Sequence, residues 1–167
     1  MSLNTTPRTW VSGEVVTAAE MNAEIRDALT GIQAAWTSFT PSLVAVTTNP
    51  TLGTGGSSVG NQLRVGADVR FRITITWGGA GLNVGSGIYS LTLPGSSPAT
   101  PQAINSSVAV RQAATGNNWL GVGQIVTPGN QARLSFNATG ANPYLTNGAP
   151  IAWAVNDIIQ LAADMEG

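Results

Sequence analysis

Residues 69–77, "VRFRITITW", decide the fold. Val69, Phe71, Ile73, Ile75 and Trp77 alternate with Arg70, Arg72, Thr74 and Thr76, a strict period of two. Successive side chains of a strand point to opposite faces, so this pattern predicts a strand with one buried and one wet face. Shorter runs of the same kind lie on both sides: 42–48, 61–65, 87–93, 106–112, 118–126, 131–137, 150–155 and 157–163. Turn signals separate them, among them Asn49-Pro50, Gly78-Gly79, Pro94-Gly95, Pro128-Gly129 and Asn156-Asp157. No helical pattern falls between strands, which excludes a parallel α/β fold. Many short, evenly spaced strands predict a mainly β protein, an antiparallel β-sandwich of jelly-roll-like type or a barrel. Two stretches are long for hairpin loops, "GTGGSSVG" (53–60) and "PGSSPATPQ" (94–102), and flexible tips are the default expectation for both.

Before Ser38 the pattern changes. In "VTAAEM" (16–21), Thr17 and Glu20 have the spacing of a capping box, with Val16 and Met21 placed as a hydrophobic staple. One short N-terminal α-helix therefore starts near Ala18. Ala18, Met21, Ile25, Ala28, Ile32 and Ala35 recur at three- and four-residue steps and form a narrow apolar seam, bracketed by Trp10 and Trp36. A helix this short is marginal alone and needs a surface to lie against. That surface is either its own β domain or an assembly: identical helices or a larger particle. The chain thus divides into 1–37, an attachment or oligomerisation segment, and 38–167, the β domain.

Composition narrows the function. Charged residues make up 9% of the 167-residue chain, against about 25% on average. All seven basic residues are arginines and the net charge is -1, which gives no field for capturing a polyanion. Nucleic acid is not an expected partner. With no lysine to guard sheet edges, covering of the edges by further copies of the chain is a physical expectation, with loops or the helix as the other covers. The opening "MSLNTTPRTW" lacks a basic region followed by an apolar run, and no later stretch reaches the length of a membrane span. The expectation is a protein without a signal peptide and without membrane insertion.

Catalytic chemistry finds little to work with. Histidine and cysteine are absent, which removes the histidine-based triad and the usual zinc sites. Glycoside hydrolysis needs two carboxylates, yet Asp68 and Asp157 sit in turn sequences where bonding to the local backbone is the ordinary role. No acidic run supplies a calcium cage, and the glycine-rich pieces lack a phosphate-cradle ending. No catalytic residue, metal site or cofactor is expected. Saccharide binding stays open: Trp119 beside Asn118, and Tyr144, pair aromatic faces with neutral hydrogen-bonding groups, although Trp119 also fits a partly buried strand start.

"PRTWVSGEVVTAAEMNAEIRDAL" (7–29) resembles an N-terminal segment that recurs in virion proteins of tailed bacteriophages, especially those of high-GC Gram-positive hosts. "NPTLGTGGSSVGNQLRVGADVRFRITITWGG" (49–79), "GSGIYSLTLP" (85–94) and "WAVNDIIQLAADME" (153–166) are similar to the β domain that follows it in minor tail and fibre-like proteins. Leu63 departs from relatives that often carry an aromatic there, a matter of packing. The resemblance implies a non-enzymatic virion structural protein, commonly a homotrimer, attached to other virion proteins through its N-terminal segment. The expected role is a tail-fibre or receptor-binding appendage contacting host surface glycans. The alternative is a capsid decoration or head-fibre protein mounted on the shell. A surface-polysaccharide hydrolase with carboxylates meeting across a subunit interface is the enzymatic rival.

Overall fold

A computed structural model describes residues 8–26, 29, 35–65, 68–93, 105–126, 130–136 and 144–166. Nine strands are present among them: β1 (Thr37–Phe39), β2 (Leu43–Ala45), β3 (Ser57–Val65), β4 (Asp68–Thr76), β5 (Tyr89–Thr92), β6 (Asn105–Arg111), β7 (Asn118–Val126), β8 (Gln131–Phe136) and β9 (Ile158–Glu166). They form one sheet in the order β1-β3-β4-β9-β6-β7-β8-β5-β2, and every neighbouring pair is antiparallel. The protein is mainly β, with one short helix, α1 (Ala18–Met21), ahead of the sheet. The strand boundary at Thr37 falls one residue before the expected start of the β domain.

The alternation in β4 sets the two faces. Val69, Phe71, Ile73 and Ile75 are buried, while Asp68, Arg70 and Arg72 are exposed. Register carries the same phase into β9, where Ile73 is opposite Leu161 and Ile75 opposite Ile159, and into β6, where Val108 is opposite Leu161. Burying such aliphatic and aromatic side chains contributes about 1.5–3 kcal/mol each before entropy is subtracted, and the core cluster runs through all these strands.

The sheet cannot be flat. Trp77, directly after β4, and Tyr89, opening β5, lie five ladder steps apart, about 24 Å at the usual strand spacing. Their ring centroids are 6.3 Å apart, so the sheet curls until its flanks meet. Trp153 fills the junction, 5.4 Å from Trp77 and 6.2 Å from Tyr89. The sandwich-like layering thus takes the form of facing flanks of one half-barrel around a single core.

Both sheet edges are three-residue strands, and residues 40–42 join them directly. Pro41, which has no N–H for a ladder, marks the crossing. The Ser58 hydroxyl donates to the Pro41 carbonyl on one flank, and the Ser42 N–H donates to Thr92 Oγ1 at 2.6 Å on the other. Residues 40–42 thus bridge the two edges, while β1 covers only Gly60–Gln62 of the nine-residue β3.

Two expectations about irregular segments change. In "GTGGSSVG", residues 57–60 belong to β3 and residues 53–56 form a packed turn. The Gly78 N–H donates to the Leu52 carbonyl at 2.7 Å and the Thr54 N–H to the Ala80 carbonyl at 2.8 Å, holding the β2–β3 and β4–β5 connections together. A Cβ on Gly78 would collide with backbone atoms of Gly53, Thr54 and Gly56, and Gly85 (φ 64) would drive a Cβ into the Thr48 carbonyl. Only glycine permits this approach. In "PIAWAV", Ile151 and Trp153 are buried and Ala152 and Ala154 exposed, yet no strand partners them. There the alternation reports burial beside a loop turn, fixed by the Trp153 indole donating to the Thr146 carbonyl at 2.8 Å. The loop 94–102 lies outside the described residues.

Candidate functional site

The N-terminal segment is organised by its own charges. Thr17 is extended and accepts from the Glu20 N–H at 3.3 Å, while the Glu20 carboxylate accepts from the Thr17 N–H at 2.8 Å and its hydroxyl at 2.7 Å. This is the expected capping box. Arg8 pairs with both Glu14 and Glu20, its guanidinium lies 5.2 Å from the Trp10 ring centroid, and its backbone N–H donates to Glu24 Oε2 at 3.3 Å. The Thr17 N–H and hydroxyl, and then Arg8, hold the Glu20 carboxyl down at about 2. The acidic residues of this stretch thus fold it locally.

Its apolar side chains face away from the chain's core. After α1 the backbone widens into a π-helical turn, Asn22–Arg26, and neither element buries a residue. Met21 is 45% exposed and Ile25 47% exposed; Leu29, also helical, is 54% exposed. Trp10, Val11, Val15 and Val16 are exposed as well. Of the expected seam, Ala28 and Ile32 lie outside the described residues. Trp36 is exposed and stacks on Arg72, 5.0 Å from centroid to guanidinium carbon, on the outer face of the sheet. Among the described seam residues, Met21 and Ile25 are therefore not buried in the chain's own β domain, the first of the two surfaces considered from sequence.

The saccharide candidates do not form one platform. Trp119 packs against the core from the inner side of β7, whereas Tyr144 bridges Ser135 and lies under Arg133, 5.4 Å from its guanidinium carbon. Asn118 is exposed and its amide donates to the Gly116 carbonyl at 3.2 Å, closing the turn before β7. The aromatics are separated by the sheet itself.

Asp157 is fully buried and structural. Its Oδ1 accepts from the Ala113 N–H and its Oδ2 from the Ala154 N–H, both at 2.8 Å, and its carbonyl accepts from the Trp77 N–H at 3.0 Å. The carboxylate thereby ties the β6–β7 turn to the turn before β9, and the backbone carbonyl of the same residue holds the end of β4. Asp68 is exposed at the start of β4, and Asp164 is 3.7 Å from Arg70 Nε in an exposed cross-strand pair. Among the described residues no group of three metal-ligating side chains converges, and no helix is long and apolar enough to cross a membrane.

Sequence reading missed the outward aliphatics of β7. Leu120 is 75% exposed and Val122 is exposed, while Gly121 and Gly123 take the inner positions. A Cβ on Gly121 would strike the Ser135 carbonyl and the Phe136 ring, and the Ser106 hydroxyl accepts from the Gly123 N–H at 2.5 Å. The glycines, not the aliphatics, were the inward signal. Comparison with family models, with curated proteins and with solved structures finds no match.

Proposed function

We propose that this chain is a non-enzymatic structural protein of a tailed-phage virion, an appendage of the tail-fibre or receptor-binding kind that assembles as a homotrimer. Residues 8–36 act as the element of attachment and assembly, and the β half-barrel faces outward. The observation that carries this reading is a capped, internally paired helical segment whose large apolar side chains Met21, Ile25 and Leu29 remain uncovered. Exposed apolar surface of this extent on a small, low-charge chain is the ordinary mark of an interaction site. The resemblance of residues 7–29 to phage N-terminal segments supplies the particle. Glycan contact through Trp119, Asn118 and Tyr144 gains no support from their placement, so recognition of host glycans would fall to other surface groups.

The test is gold-labelled antibody to this chain on intact particles of the phage that encodes it. Gold along the tail or at its tip is expected. Gold over the shell would move the assignment to a capsid decoration or head-fibre protein, and unlabelled particles would overturn the virion reading.

A further inference from the structure

The outer face of the sheet carries a trough whose shape and lining match the uncovered helix. Its floor consists of small or neutral side chains: Ala162 and Gln160 of β9, Ser107 and Ala109 of β6. Register places these in consecutive rows, since Gln160 is opposite Ala109 and Ala162 opposite Ser107. Arg70 and Arg72 of β4, with Trp36 on Arg72, form one wall, and Leu120 of β7 forms the other. Two adjoining recesses of ≈ 430 and ≈ 310 Å³ lie between them.

The dimensions suit one helix. From β4 to β7 are three strand spacings, about 14 Å, and a helix with its side chains is about 10–12 Å across. Helical residues 18–26 extend about 14 Å at the α-helical rise, close to the span of three alternate rows of a strand pair. Charge agrees too. Residues 8–26 hold three acids against two arginines, whereas the trough wall holds Arg70 and Arg72 against Asp164 alone.

We infer that this trough receives the N-terminal helix of a second copy of the chain, with Met21, Ile25 and Leu29 on the Ala109–Ala162 floor and against Leu120. Helix and trough are different surfaces, so the contact is head-to-tail, the kind that forms a closed ring where the rotation between copies closes. This deepens the assembly role proposed for residues 8–36. It also stands apart from the virion assignment, because self-association in solution and labelling of particles are read separately.

The cysteine-free chain allows a direct test by disulfide trapping. Single variants Ile25→Cys and Ala109→Cys are mixed, oxidised and run without reductant; a bridge forms only where Cα atoms come within about 4.4–6.8 Å. Twice the 17.1 kDa chain mass in the mixture, and in neither variant alone, is the expected result. Ala162→Cys in place of Ala109→Cys repeats the test on an exposed floor position. Dimers of Ile25→Cys alone would mean that helices pair with each other. A bridge within one chain of the double variant would mean that the helix folds back onto its own sheet. Either result, or no bridging from both floor positions, overturns the inference.

Discussion

Replacing Asp157 by alanine removes the one buried carboxylate among the described residues, which joins the β6–β7 turn to the turn before β9. Two backbone N–H groups, those of Ala113 and Ala154, lose acceptors at 2.8 Å. Hydrogen bonds to charged groups contribute about 1.5–3 kcal/mol each. Both donor residues lie at the surface, where water replaces part of the loss, so the lower value applies and the expected destabilisation is about 3 kcal/mol. That is a large share of the roughly 5–15 kcal/mol that stabilises a domain. Asp157→Asn keeps one acceptor but turns an amide N–H toward the other donor, so about half the loss is expected, roughly 1.5 kcal/mol. Urea unfolding followed by tryptophan fluorescence is a suitable assay, because the backbone N–H of Trp77 donates to the Asp157 carbonyl and its ring packs on Trp153. With a slope of about 2 kcal/mol/M, the midpoint falls by about 1.5 M for alanine and roughly 0.75 M for asparagine. Asp68→Ala, at an exposed position, serves as the control and stays within about 0.5 kcal/mol. An alanine variant that unfolds within about 0.3 M of the parent protein would refute the account of the Asp157 carboxylate as a tie between the two turns.

Glu20 supplies a pH test. Its folded value lies below the ordinary carboxylate value, so the cap is intact above 4.5 and is lost as pH falls through about 2. A carbon-detected NMR titration of the Glu20 side chain should show the low midpoint and Thr17→Ala should raise it; a parent midpoint near 4.5 would contradict the capping geometry. Gly78→Ala, whose Cβ meets backbone atoms of Gly53, Thr54 and Gly56, is expected to cost about 1–3 kcal/mol, while Gly148→Ala, whose Cβ would meet nothing within 4 Å, stays within about 0.5 kcal/mol; equal melting temperatures for the two would count against the packed turn. Ile25→Asp places a charge on the uncovered seam and should leave the half-barrel folded but monomeric by light scattering and absent from particles. Unchanged mass and normal incorporation would remove the seam from the assembly account.

Legibility in the sequence followed the local physics. β4 was plain because its inner residues pair with the buried row of β9 while its outer face stays wet, giving nine residues of uninterrupted alternation. The Thr17–Glu20 box was plain because capping needs only residues three apart. β1 carried no signal, since three exposed or half-buried residues hold no periodicity. "PIAWAV" misled because burial alternates beside a turn as it does in a ladder, and sequence does not show whether a partner strand is present. The faces of Trp119 and Tyr144 depended on β7 turning its glycines inward, which Ser106, Ser135 and Phe136 impose from other strands. The trough was invisible for the same reason: its floor comes from β6 and β9, far apart in the chain, and only register brings Ala109 beside Gln160.

The position of β9 governs the order in which this molecule is made. It lies between β4 and β6 yet is the last of the nine strands along the chain. A nascent chain can assemble β1-β3-β4 and, separately, β6-β7-β8-β5-β2, but each half then shows the other a full unpaired edge. Those edges lie opposite buried aliphatic rows, the combination that recruits wrong partners during synthesis. Translation speed and temperature should therefore govern soluble yield more strongly than the stability of the finished sheet, because native pairing waits for residues 158–166 to leave the ribosome.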